Sequence, residues 1–411
     1  MGHKFAVKGS SLHLERRNTI NDMAIGRKLK YGMVGGGPGA FIGAVHRKAA
    51  ALDGTMDLVA GAFSTNPDKS RQQGEALMLD PSRVYGSYKE MVEKEAALPE
   101  GERIDFVSIV TPNHVHFEIA KAFIEAGFHV VCDKPMTTTL ADAEALCRLV
   151  SEHDVVFALT HNYTGYPMVK HARHMVKTGV IGELRKIMVE YPQGWLTTPL
   201  EQTGLKQAVW RTDPKLAGAG ALGDIGSHAE NLACYIGGRQ LVALCADVNT
   251  FVPGRLLDDD INVLTEYEGG VKGVLAASQI SAGEENNLNI RLYGTQGSLR
   301  WHQEKPNDLY YRPLDAPEQI LRRGNGYLSD VAQHNTRLPA GHPEAFLEAF
   351  ANIYVNAGRT IAARIAGEEP TAFDLDFPTH VEGAYGVHFI ETVLKSGQAR
   401  AWVDARYTPV V

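Results

Sequence analysis

Three stretches carry side chains whose types and spacing could do chemistry. Asp133-Lys134-Pro135 follows the apolar run Val130-Val131-Cys132, so a cationic amine stands at the end of a buried strand. Far along the chain, Asp224 and His228 lie four residues apart in GDIGSH (223–228), a helical spacing that brings both to one face. Gly35-Gly36-Gly37-Pro38-Gly39-Ala40 fits G-x-G-x-x-A after a strand and at the start of a helix. Such a loop lets backbone amides approach a pyrophosphate, and the helix N-terminus favours the anion. An imidazole titrates near neutrality and can remove a hydroxyl proton, while a fixed amine stabilises alkoxide charge. Beside a bound dinucleotide such groups could move a proton from a hydroxyl and hold the charge left on its oxygen, while the redox step belongs to the cofactor. Each stretch also has a plainer explanation. Lys134 can be a surface lysine paired with Asp133, Asp224 an N-cap beside a satisfied helix histidine, and the glycines a turn.

The elements that must position these groups are legible from periodicity. LKYGMVGGG (29–37), MDLVAGAF (56–63), IDFVSIVTP (104–112), the run before Asp133 and VVFALTHN (155–162) are buried strands. Helical spacing separates them, through Phe41, Ala44, Val45, Ala49 and Leu52, then over about 115–126 and 140–150. Strands alternating with helices predict a parallel, doubly wound Rossmann sheet over 29–160. The pattern then changes. KIMVEY (186–191), INVLTEY (261–267), VKGVLAAS (271–278), LNIRLYG (288–294) and SLRWH (298–302) predict a large, open, mainly antiparallel sheet. Helices follow from Phe346 to Ile361 and from about His380 to Leu394, so the fold class is α/β with a second domain over 161–411.

In an open parallel sheet a ligand lies beyond the carboxyl ends of the strands. Thr111-Pro112-Asn113-His114, Asp133-Lys134-Pro135 and His161-Asn162-Tyr163 sit at three successive ends and should line one crevice. At the end of the second strand, Ser64 and Asn66 come first and Asp68, Lys69 and Arg71 further on. That is neither a clean ribose-binding acid nor a clean 2′-phosphate cation; NAD is expected, with NADP left open.

At this point the chain resembles the Gfo/Idh/MocA family of nicotinamide-dependent oxidoreductases, through VGGGPGAFIG (34–43), TPNHVH (111–116), CDKP (132–135), HNYTGYP (161–167) and GDIGSH (223–228). The family's usual Glu-Lys-Pro is Asp-Lys-Pro here. The resemblance implies Lys134, Asp224 and His228 as catalytic residues, with Asp224 orienting the imidazole or the substrate. Cofactor contacts are expected at Gly35, Gly37, Pro38, Gly39, Ala40, Phe41, Ile42, Ser64, Asn66, Arg71, Thr111, Asn113, His116, Asp133, Lys134, Asn162, Trp210 and Arg211, and substrate contacts at Lys134, Tyr163, Asp224 and His228. Asn162, Tyr163, Tyr166 and Trp195 or Trp210 suit a hydroxyl-rich ring, so a sugar, glycoside or cyclitol is expected as substrate. Two alternatives stand beside this one. Transient oxidation could serve glycoside cleavage with NAD recycled, or the fold could bind dinucleotide as a sensor without turnover.

Composition bounds the rest. At 411 residues, 44% apolar and 22% charged, the chain describes an ordinary globular protein of two domains. A net charge of -7 gives no nucleic-acid footprint, and no apolar run reaches membrane-spanning length. Four cysteines without a CxxC pair suit a reducing, cytoplasmic setting. Residues 1–28 form a basic arm without the apolar core of a signal peptide. No metal is expected, because His171 and His174 lie among Lys170, Arg173 and Lys177 on what reads as a solvated basic face. The open sheet predicts a homodimer or homotetramer.

Overall fold

The computed structural model describes residues 23–410. The basic arm expected over 1–28 therefore lies, up to residue 22, outside the described residues. Beyond it Arg27 pairs with Asp105 at 2.7 Å and Lys28 with Asp57 at 2.9 Å. The chain runs β1 (Leu29–Gly35), α1 (Phe41–Ala51), β2 (Met56–Ala62), α2 (Pro67–Ala76), α3 (Tyr88–Ala96), β3 (Phe106–Val110), α4 (His116–Glu125), β4 (His129–Cys132), α5 (Leu140–Glu152) and β5 (Phe157–Leu159). It continues through α6 (Pro167–Lys177), β6 (Leu184–Pro192), α7 (Lys206–Arg211), α8 (Pro214–Ala217), α9 (Ser227–Gly237), β7 (Leu241–Asn249), β8 (Asp260–Tyr267) and β9 (Lys272–Ser278). The remainder is β10 (Asn289–Gly294), β11 (Gly297–His302), β12 (Asp308–Pro313), β13 (Gln319–Arg322), α10 (Asp330–His334), α11 (Phe346–Ala366), α12 (His380–Ala399) and β14 (Val403–Asp404).

The first five strands pair in parallel in the order β2-β1-β3-β4-β5. β3, β4 and β5 are buried at every position, as strands covered by helices on both faces must be. The strand order reverses between β1 and β3, and a crevice opens there beyond their carboxyl ends.

The second sheet has nine strands in the order β13-β12-β11-β10-β6-β9-β8-β7-β14, antiparallel at every junction except β6 with β9. One face is buried under α6, α9 and α12, and its core joins Ile187, Val189, Leu232, Ile236, Leu275 and Trp301. The other face alternates outward, leaving Leu264 of β8 and Tyr293 of β10 exposed.

The parallel sheet is completed by sequence from the far end of the chain. α11 lays Phe350, Ile353, Tyr354, Ala357 and Ile361 against Leu29, Tyr31 and Phe106. Arg337, just before α11, forms a buried ion pair with Asp53 after α1. The C-terminal part of the chain is thus tied directly to the parallel sheet.

One expectation about surfaces is corrected here. The α6 face bearing Lys170 and His171 is buried, not solvated. Lys170 is 1% exposed and pairs with Asp376 at 2.8 Å, and His171 accepts the Ser329 amide at Nδ1. The apolar neighbours Met168, Val169, Ala172 and Met175 carry this face into the core, while His174 and Lys177 stay exposed; burial pulls the Lys170 amine below its ordinary range and the Asp376 carboxylate opposes that shift. Among the described residues no cluster of three or more His, Cys, Asp or Glu side chains could hold a metal ion.

Candidate active site

A cleft of about 1340 Å³ lies between the two sheets. It exceeds the ~300–1,000 Å³ of a pocket for one drug-sized molecule, so it has room for a dinucleotide and a second small ligand.

Its first wall is the loop after β1. Gly35, Gly36, Gly37, Pro38, Ala40, Phe41 and Ile42 line it, and the first turn of α1 carries no acid to repel an anion. Glycine is required at 37, where a Cβ would stand 2.6 Å from the Phe63 carbonyl. Close packing of the helix on the loop is made at Gly43, whose added Cβ would meet Gly36 Cα at 2.5 Å. Gly39 does not contribute to the wall.

At the end of β2, Ser64, Thr65, Asn66 and Lys69 line the cleft. Asn66 Oδ1 caps α2 by accepting from the amides of Asp68 and Lys69 at 2.9 and 3.2 Å. Arg71 is a correction: it is 61% exposed, pairs with Asp68 in solvent and does not reach the cleft. Two residues along α2, roughly half a turn, rotate it off the lining face occupied by Lys69. Ser87, Tyr88 and Lys89 also line this end, and sequence reasoning missed them.

Thr111 and Asn113 line the next stretch, and Asn113 Nδ2 donates to Ala217 O at 3.1 Å. His116 is a second correction. It is fully buried, with Nδ1 2.9 Å from Pro135 O and Nε2 2.9 Å from Thr111 O, so it braces the ends of β3 and β4 from behind. Asp133 accepts from the Lys134 amide at 3.0 Å and Thr160 Oγ1 at 2.9 Å, with His46 Nε2 at 3.8 Å. Burial alone would push its carboxyl up, but His46 and Lys134 outweigh burial and hold it below the carboxylate range.

Lys134 does not pair with Asp133. Its Nζ donates to Asp224 Oδ1 at 2.8 Å and to Asp224 O at 2.5 Å. Asp224 Oδ2 accepts from Gln279 Nε2 at 2.8 Å and Arg211 Nε at 3.2 Å. Burial raises this carboxyl, yet Lys134 and then Arg211 outweigh it, so Asp224 stays ionised. Arg211 lies 4.3 Å over the Trp210 ring, and both line the cleft.

The predicted Asp224–His228 contact does not form. Residues Leu222–Gly226 make a π-helical turn, in which Ser227 N bonds Leu222 O, before α9 begins. A widened turn takes more residues per revolution, so positions four apart no longer stack, and Asp224 turns toward Lys134. Asp258 clamps the start of the turn by accepting from the amides of Gly220 and Leu222 at 2.7 and 2.6 Å. His228 instead meets His161, Nδ1 to Nδ1 at 3.3 Å. Burial first, and then the Lys134 charge, hold the His228 imidazole well below its ordinary range. It is neutral at pH 7 and does not titrate there, contrary to expectation.

Tyr163 lines the cleft with its hydroxyl bonded to Tyr191 Oη and accepting from Asn286 Nδ2 at 3.3 Å. Tyr191 donates to Asn286 Oδ1 at 2.6 Å, and Gln193 Nε2 donates to the same oxygen at 2.7 Å. Trp195, Gln303 and Glu285 complete this end. Tyr166 is turned away, packed on Trp301 in the core. Among the described residues, two buried polar atoms on the cleft wall, Asn162 Nδ2 and Thr111 Oγ1, have no hydrogen-bond partner. Together with the glycine loop they fit a dinucleotide, whose amide and phosphates would supply the missing partners.

Comparisons agree with this geometry. Residues 29–161 match the oxidoreductase family with NAD-binding Rossmann fold (Gfo/Idh/MocA), and residues 169–300 match the Gfo/Idh/MocA C-terminal domain. The uncharacterized oxidoreductase YfiI of Bacillus subtilis (strain 168) is 35% identical over 385 residues, 92% of this chain and 98% of its own. Levoglucosan dehydrogenase of Pseudarthrobacter phenanthrenivorans is 28% identical over 321 residues, 72% of this chain and 79% of its own. An inositol dehydrogenase homolog from Azotobacter vinelandii, solved with NADH and myo-inositol, is 36% identical with a TM-score of 0.85, covering 93% of this chain and 98% of that one.

Proposed function

The chain belongs to the Gfo/Idh/MocA family of oxidoreductases, and from that premise we propose that it oxidises a ring secondary alcohol of a sugar, glycoside or cyclitol with NAD. Its N-terminal domain is an NAD-binding Rossmann fold, and the protein is an NAD-dependent dehydrogenase of the sugar and inositol dehydrogenase kind. The choice of a polyol is supported by the relatives, one complexed with myo-inositol and one named for levoglucosan. It also suits the hydroxyl and amide fan of Tyr163, Tyr191, Gln193, Asn286 and Gln303.

One observation carries the proposal: the Lys134 amine and the His228 imidazole line the same end of the cleft, with Asp224 held at 2.8 Å from the amine. NAD, when bound, accepts the hydride. The remaining work falls to the protein. Lys134 hydrogen-bonds the reacting oxygen and stabilises charge that develops on it. Asp224 orients that amine and keeps it charged. His228, neutral at pH 7, takes the hydroxyl proton; its low basicity suffices because the hydroxyl becomes strongly acidic as its carbon is oxidised.

Assembly and location belong to the same proposal. Leu264 and Tyr293, exposed on the open sheet, favour a homodimer or homotetramer through that face. Among the described residues no helix is long and apolar enough to cross a membrane, and the four cysteines are unpaired, which suits the cytoplasm.

The test is a panel of cyclitols, free sugars and glycosides, each with NAD and with NADP, followed by nucleotide reduction and by release of aglycone. Net NAD reduction by at least one polyol is expected. Aglycone release without net reduction would replace the proposal with redox-assisted glycoside cleavage, and silence with every compound would overturn it.

A further inference from the structure

Behind His228, on the side away from the cleft, stands His161 at the end of β5. The two Nδ1 atoms are 3.3 Å apart and the rings are nearly perpendicular, at 83°. His161 is 2% exposed and forms no part of the cleft wall. Its position is tied on both sides: its amide donates to Leu159 O at 2.9 Å, and its carbonyl accepts Thr164 Oγ1 at 2.9 Å. The Tyr163 ring closes another side of His228, edge-on at 4.8 Å.

A neutral imidazole carries one N–H, so two Nδ1 atoms this close share a single proton. When His161 donates, His228 holds its proton on Nε2 and shows the cleft an N–H. When His161 accepts, His228 holds its proton on Nδ1 and shows the cleft a lone pair. Only the second arrangement can take a proton from a substrate hydroxyl.

We propose that His161 is the positioning residue that holds His228 in its Nδ1–H tautomer, leaving Nε2 as the proton acceptor in the cleft. It rests on the assignment of His228 as the base. The proton passes from the substrate oxygen to Nε2; that O–H bond breaks as the N–H bond forms. The Nδ1–H bond to His161 then becomes charge-assisted and stabilises the imidazolium. The charged groups facing the pair are Lys134, Asp133 and Asp224, with the Tyr163 and Tyr191 hydroxyls bonded to each other nearby. Burial and the Lys134 charge disfavour a proton resting on either ring, so the pair starts neutral.

The test is histidine nitrogen NMR on the full chain without cofactor, with resonances assigned through His161→Asn and His228→Gln. His228 is expected to show a protonated Nδ1 and an unprotonated Nε2. His161→Leu removes the acceptor and shifts His228 toward its Nε2–H form, whereas His161→Asn, whose Oδ1 can replace Nδ1, preserves it. In turnover, His161→Leu lowers kcat roughly 10- to 100-fold with a smaller change in KM, less than the ~10²–10⁴-fold of losing a general base because His228 itself remains, and His161→Asn restores most of it. A lone pair on His228 Nδ1 in the parental chain overturns the proposal, as does a folded His161→Leu variant with the parental kcat. The spectra need neither substrate nor cofactor, so a wrong tautomer refutes His161 alone. The right tautomer in a chain that oxidises no polyol refutes the proposed function instead.

Discussion

Lys134 Nζ reaches two oxygens of one residue, Asp224 Oδ1 at 2.8 Å and Asp224 O at 2.5 Å, and so joins the end of β4 to the π-helical turn before α9. The Lys134 side chain is 13% exposed and its amine is held by Asp224 before any substrate arrives. Preorganised charge is worth most in such a place, because no reorganisation is needed when the oxygen becomes negative. Lys134→Met should therefore lower kcat by about 10²–10³. The NAD dissociation constant should change far less, since the phosphate loop lies elsewhere on the cleft wall. Asp224→Asn keeps the carbonyl acceptor but loses the carboxylate charge, and should fall between Lys134→Met and the parent. Steady-state kinetics with nucleotide titration by fluorescence check both; a Lys134→Met variant at the parental kcat sinks the assignment.

Buried neutral histidines make the fold acid-sensitive before its carboxylates do. Burial pushes His129 and His171 down to about 4 and His161 to about 3, and His129 Nδ1 accepts the Val156 amide, which a protonated ring cannot do. The folded values lie below the ordinary ~6.5, so as pH falls the unfolded chain binds protons first. Their contribution is complete above about pH 6.5 and is lost as pH falls toward their folded values, at up to ~1.4 kcal/mol per pH unit for each ring. The urea midpoint should be flat from about pH 8 to about pH 7 and fall steadily below about pH 6. A midpoint unchanged down to about pH 5 contradicts this account of the three rings.

Both sheets were legible in the sequence because their signals are local. Near-continuous apolar runs marked β1, β3 and β4, alternation marked β8 and β10, and the glycine loop announced its own turn. Lys134 was legible for the same reason, as a charge at a strand end in a parallel domain. What local signals could not reach was decided across the chain. Asp224 and His228 looked paired because a helix was assumed, whereas the π turn clamped by Asp258 redirects Asp224 to an amine 90 residues away. His116 looked like a cofactor contact from its place in TPNHVH, yet its ring lies behind the wall with each nitrogen 2.9 Å from a carbonyl, one of which takes its N–H. Gln279 and Asn286, which hold Asp224 and the two tyrosines, stand in no motif. No periodicity marks such residues, since only tertiary packing brings them in.

The glycine loop separates close approach from backbone strain. At Gly37 a Cβ would stand 2.6 Å from the Phe63 carbonyl, a backbone atom that cannot swing aside. At Gly39, φ is +77° but nothing lies within 4 Å. Gly37→Ala should then push the loop off the end of β2, costing about 1–3 kcal/mol of stability and weakening NAD binding at least about tenfold. Gly39→Ala should show only left-handed strain, about 1–2 kcal/mol, with NAD affinity little changed. Thermal melts and nucleotide titration of the two variants check the contrast, and equal losses of affinity would contradict it.

Nucleotide choice should turn on Lys69 rather than Arg71. Among the described residues no acidic side chain lines the cleft at the end of β2, where a carboxylate would bind the ribose diol and repel a 2′-phosphate. Ser64, Thr65 and Asn66 offer neutral partners there, and Lys69 is the cation next to them in sequence, with Lys89 on the same end of the wall. Arg71 spends its charge on Asp68 in solvent, where screening leaves little field for a ligand. NAD is thus bound without its usual carboxylate, and any use of NADP draws on the Lys69 amine, with Lys89 as the other cation at this end. Lys69→Glu should lower kcat/KM for NADP at least about tenfold more than for NAD, since a charge reversal turns attraction into repulsion at one site only. Ser64→Asp should move the ratio the same way by supplying the missing ribose acid, and Arg71→Ala should leave it within about twofold. The ratios come from initial rates with the two nucleotides at one substrate concentration. A shift on Arg71→Ala with none on Lys69→Glu would return the role to Arg71.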